Sequence, residues 1–103
     1  RELLDWYHEN KEIMHPVKLA ALFHFKYVYI HPFIDGNGRS ARLLMNLILL
    51  INGYPLTVIR NTDRVDYMSA LEKASTTGDT DDFVEFIAQA VDRSFDTYLY
   101  LIG

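Results

Sequence analysis

The architecture turns on HPFIDGNGRSARLLMNLILLI, residues 31–51. Asp35-Gly36 and Asn37-Gly38 are both dipeptides that favour two-residue hairpin turns. A hairpin needs apolar and polar residues to alternate on either side, and Ser40 to Leu50 does not alternate; it is rich in strong helix formers. The glycines therefore stand where a loop enters a helix, with Asn37 the candidate N-cap. Such an entry leaves the first backbone N–H groups unpaired and carries a partial positive charge, a natural seat for an anion. Glycine lets a ligand approach that backbone without a Cβ in the way.

The flanking sequence is helical too. Val17 to Tyr29 is apolar nearly all round, so it reads as a central helix, opened by His15-Pro16 and closed where Pro32 pushes His31 out of helical geometry. Before it, Glu2 to about Glu12 carries Leu3, Leu4, Trp6 and Tyr7 as a first helix. The helix from Arg39 stops near Ile51 at Asn52-Gly53, with Pro55 beyond. Leu56 to Ile59 is extended at best. Asn61 or Thr62 can cap a fourth helix reaching about Ala74, and Ser-Thr-Thr-Gly-Asp breaks it. A fifth runs from about Asp81 to Leu101, with Phe83, Phe86, Ile87, Ala90, Val91, Phe95, Tyr98 and Leu99 at the helical period. The expectation is an all-α bundle of about five helices with the functional loop between the second and third. It forms one domain over residues 1–103, the core of something longer.

Composition narrows the chemistry. The chain is 50% hydrophobic and 14% aromatic, enough to build a globular core. A formal net charge of −4 argues against broad nucleic-acid binding, so any phosphate recognition must be local. There is no cysteine, which excludes disulfides and thiolate metal sites. Leu43 to Ile51, the most apolar run, is far shorter than the roughly 20 residues of a membrane span.

Arg39 and Arg42 stand three apart and share a helix face, which next to a glycine-rich helix start suits several phosphates in a row. Solvated surface arginines are the plainer reading of such a pair. The spacing is not that of a P-loop, and no Lys-Ser/Thr follows. Asp35 alone would more often cap a turn, but facing a polyphosphate it suits Mg²⁺ held by one carboxylate, phosphate oxygens and water. An EF-hand fails because no glutamate completes the loop. His31 precedes Asp35 by four residues, and a neutral imidazole beside a phosphate chain can deprotonate an incoming hydroxyl, typically worth ~10²–10⁴ in rate. Phe33 reads as the loop's buried anchor. His8, His15 and His24 lack metal spacing and read as structural.

Taken together, His31-Pro32-Phe33-Ile34-Asp35-Gly36-Asn37-Gly38-Arg39-Ser40-Ala41-Arg42 resembles the signature of the Fic family, H-P-F-x-D-G-N-G-R-x-x-R, at every position. The similarity runs on through Tyr54-Pro55 and Arg64 to the last helix. It implies transfer of AMP from Mg-ATP to a Ser, Thr or Tyr hydroxyl of a target protein, with pyrophosphate leaving. By that resemblance His31 is the general base, Asp35 holds Mg²⁺, and Gly36, Asn37, Gly38 and Ser40 lie along the nucleotide. Arg39 and Arg42 bind its distal phosphates. Gly38, where Doc-type relatives have lysine, points away from phosphoryl transfer. The resemblance places the nucleoside near Tyr67, Met68 and Ser75, of which Tyr67 keeps the family's aromatic character. It implies a β-hairpin flap upstream of the first helix, and this chain begins too late to contain it. No S/T-x-x-x-E-G/N inhibitory string occurs; Asp5 to Asn10 has its tail but Asp in place of Ser/Thr. The alternatives are removal of AMP from a modified protein and a non-catalytic nucleotide-sensing or partner-binding module. A homodimer and a bacterial-type cytoplasmic location complete the expectation, with the ER lumen as the other compartment.

Overall fold

In a computed structural model the described residues are 2–30 and 37–103, and they form five α-helices with no strand among them. Helix α1 spans Glu2–Asn10, α2 Pro16–Ile30, α3 Asn37–Ile51, α4 Arg64–Thr77 and α5 Asp81–Ile102. A 3-10 turn, Asn61–Asp63, leads into α4.

The element boundaries follow from local chemistry. Pro16 occupies the first position of α2, and the His15 ring accepts the Val17 N–H at Nδ1, 3.1 Å away, as a side-chain cap. Asn37 is already helical, so α3 starts one residue earlier than an N-cap at Asn37 would place it. Gly53, at φ 86°, closes α3: its N–H donates to the Leu50 carbonyl and the Tyr54 N–H to the Leu49 carbonyl. That paired pattern is the left-handed glycine stop expected at Asn52-Gly53. Helix α4 runs to Thr77, three residues past the expected end, because Gly78, at φ 79°, is the first residue able to take the left-handed turn. Neither Asn61 nor Thr62 caps it. They lie inside the 3-10 turn, and Asp63 stands just before α4 with its carboxylate engaged by Arg60 and Arg93.

Helix α2 is the hub, packed on α1, α3 and α5, while α4 packs on α5. Its buried face carries Val17, Leu19, Ala20, Ala21, Phe23 and His24. Opposite lie Met45, Ile48 and Leu49 of α3 and Phe83, Ile87 and Val91 of α5. Phe83 is fully buried, with ring centroids 5.6 Å from His24, 6.2 Å from Phe25 and 6.0 Å from Tyr67. Asn46, the polar interruption in the α3 run, is buried. Its amide donates to the Thr57 carbonyl at 3.1 Å and its Oδ1 accepts the Thr57 N–H at 2.8 Å. One side chain thus satisfies a backbone pair that has no neighbouring strand, and ties the extended segment after α3 to the bundle.

Candidate active site

The site is built at the N-terminal end of α3. His31, Phe33, Asp35 and Gly36 lie outside the described residues. From Asn37 onward the first-turn amides have no partner within the helix, and no acidic side chain occupies that turn. The helix end is therefore electropositive.

Two arginines add to it. Arg39 is exposed and Arg42 half-buried. The Arg42 side chain folds back toward the helix start, as helical side chains do, until its guanidinium lies across Gly38. A Cβ at Gly38 would stand 3.3 Å from Arg42 Nη1 and 3.9 Å from Cζ. Among the described residues the ion pairs are Arg60–Asp63, Arg93–Asp63, Lys73–Asp79 and Lys73–Asp82. Arg39, Arg42 and Arg64 have no carboxylate partner among them. In a chain of net charge −4, Arg39 and Arg42 in the first turns of α3 add positive charge to that helix end, the arrangement that suits an anion.

Beneath this seat is a buried polar pair. His24 Nε2 stands 2.8 Å from the Tyr67 hydroxyl, joining α2 to α4. Burial, then the Arg42 charge, lowers the His24 pKa to about 4, so the ring is neutral. Burial raises the Tyr67 pKa, against smaller lowering by Arg42 and Arg64. His24, read from the sequence as structural, is fully buried and bonded to Tyr67, a pairing that nothing in the local sequence signals.

The positions expected near the nucleoside separate along α4. The Tyr67 hydroxyl is engaged by His24, while Met68 is exposed. Ser75 lines a cleft of about 400 Å³ with Trp6, Phe25, Tyr29, Ile30 and Ala74, immediately before His31 in the chain. Ser40 is half-buried on α3. No described helix is long and apolar enough to cross a membrane.

The chain is similar in sequence and fold to known proteins. Residues 1–49 match the Fic/DOC family. The chain is 51% identical over 96 residues to protein adenylyltransferase Fic of Nematostella vectensis, covering 92% of this chain and 22% of that protein. It is 49% identical over 92 residues to the protein of the same name in Drosophila ananassae, covering 89% of this chain and 18% of that one. Among solved structures, Fic-1 of C. elegans superposes with a TM-score of 0.87 at 36% identity, covering 95% of this chain and 29% of that one. A Fic domain containing signaling protein from Bacteroides thetaiotaomicron superposes with a TM-score of 0.82 at 39% identity, covering 92% of this chain and 41% of that one. The chain thus spans about a fifth of the curated relatives it matches. A complete signature string, a helical bundle shared with these structures and a Fic/DOC family match over residues 1–49 support a Fic domain in this chain.

Proposed function

We propose that the protein carrying this domain transfers AMP from ATP to a hydroxyl side chain of a target protein. The observation that supports it best is the start of α3, where first-turn amides, a bare Gly38 and the Arg42 guanidinium converge with no acidic residue in that turn. The adenylyltransferases it is similar to supply the reaction class.

In this reading the amides of Asn37 and Gly38 receive phosphate oxygens, continuing from Gly36 and past Ser40, while Arg39 and Arg42 hold the distal phosphates. Tyr67 supports the nucleotide from below. His31 accepts the proton of the target hydroxyl as its oxygen bonds to the α-phosphorus. The bond to the β-phosphate oxygen breaks and pyrophosphate leaves. The first turn of α3 supplies no carboxylate, so the donor set fits a cation held mainly by phosphates: Asp35 would bind Mg²⁺ with phosphate oxygens and water. When bound, the ion offsets phosphate charge. The cytoplasmic location belongs to the same proposal, and imaging of the tagged full-length protein separates it from an ER-lumenal one.

The test uses the full-length protein. His31→Ala should lose AMP transfer to protein by about 10²-fold or more while Mg-ATP still binds. Transfer at the wild-type rate would remove His31 from the mechanism, and a folded wild type that binds no Mg-ATP would overturn the reading altogether.

A further inference from the structure

Among the described residues, His24 is the one histidine at 0% exposure. It is held from three sides: Phe83 of α5 against its ring, Tyr67 of α4 at Nε2, and the Ala41 backbone of α3 on its other side. The second ring nitrogen, Nδ1, is buried without a hydrogen-bond partner of good geometry. A neutral imidazole carries one N–H and one lone pair. With the proton on Nε2, Nδ1 would be a bare lone pair in a dry interior beside a carbonyl oxygen. With the proton on Nδ1, that carbonyl becomes favourable to it and Nε2 becomes the acceptor for the Tyr67 O–H. A hydroxyl whose proton is committed in this way has only lone pairs left to offer. The cations whose charge acts on that phenol are Arg42 and Arg64.

We infer that His24 is a positioning residue for nucleotide binding: by accepting the Tyr67 proton at Nε2 it holds the phenol in place and leaves Tyr67 Oη an acceptor only. Tyr67, its proton committed to His24, then does not compete with Arg42 as a donor for phosphate. The pair also locks α2 to α4 beneath the first turns of α3, so the arginine is presented from a floor that does not shift. A charged His24 could still tie α2 to α4 by donating to the phenol, but it could not accept the Tyr67 proton, since its Nε2 would carry one of its own.

Because this rests on the ATP-dependent reading above, the test measures Kd for ATP and for AMP with Mg²⁺ on folded full-length protein. His24→Phe keeps the ring volume without the acceptor, and Tyr67→Phe removes the hydroxyl. Each should raise the ATP Kd about tenfold, with the double variant no worse than either. The AMP Kd should stay within about twofold, because the distal phosphates are the ones Arg42 holds. His24→Gln, whose Oε1 can accept the same proton, should return the ATP Kd to within about threefold of wild type. A folded His24→Phe protein with the wild-type ATP Kd, equal losses for ATP and AMP, or no rescue by glutamine would each overturn the positioning role. Wild-type protein that binds no ATP would instead overturn the functional reading. If His24→Phe fails to fold, ¹⁵N NMR of the wild-type imidazole decides: a proton on Nδ1 supports the assignment and one on Nε2 overturns it.

Discussion

Gly38 and Arg42 are four residues apart, and the guanidinium of one occupies the space a side chain on the other would need. An added Cβ would stand 3.3 Å from Nη1, tight enough to displace the far end of a flexible side chain without straining the backbone. Gly38→Ala therefore separates folding from binding. Alanine is the better helix former, so the variant should gain about 0.5–1 kcal/mol of stability in denaturant melts. Under the proposed function its ATP affinity should fall about fivefold or more, roughly 1 kcal/mol, because the Arg42 guanidinium is pushed off its resting place. A variant that is more stable and binds ATP unchanged would show that Arg42 does not need the surface of Gly38.

Helix α2 carries a pH dependence of its own. His24 binds a proton at about pH 6.5 in the unfolded chain and at about 4 in the fold. Between those values the unfolded state holds more protons, so stability falls as pH drops from about 6.5 to about 4 and is flat above. The ceiling on this loss is about 3 kcal/mol, from a gap of roughly two and a half units. Denaturant melts at pH 7.5 and pH 5 should show the loss in wild type and much less of it in His24→Phe. Equal losses in both would assign the slope to other groups. Helix α3 has a different dependence: Asn46, buried in its apolar run, holds the Thr57 backbone from both sides, so the segment after α3 takes its course from a side chain and not from its own propensity.

Across the molecule, what was legible in the sequence and what was not divide by sequence separation. The helical periods, the Gly53 stop and the glycine-rich entry to α3 are local patterns, and local energetics decide them. The end of α4 was missed because Ser-Thr-Thr remained helical until a residue could turn left-handed at Gly78. Three polar pairings had no local signature at all: Asn46 with Thr57, Asp63 with Arg93, and His24 with Tyr67. Their partners lie 11, 30 and 43 residues apart, distances that periodicity cannot span. Asp63 shows what such a pairing does for the whole bundle. Arg60 donates to it from its backbone and side chain, and Arg93 of α5 reaches it at 2.8 Å. Hydrogen bonding from Arg60 is the main cause of its pKa falling to about 2. A depressed carboxylate contributes stability above its unfolded range near ~3.9 and loses it as pH falls through about 2. Asp63→Asn should lower Tm by several degrees at pH 7, with the gap to wild type narrowing toward pH 2; a pH-independent gap would mean lost packing and not lost charge. Tyr67 follows Asp63 by one helical turn, so a tilt at the foot of α4 is passed straight to the phenol paired with His24, which the proposed function sets beneath the nucleotide. Rewriting the distant surface at Arg60 or Arg93 for solubility would then detune ligand capture by remote leverage, through residues that never meet the ligand.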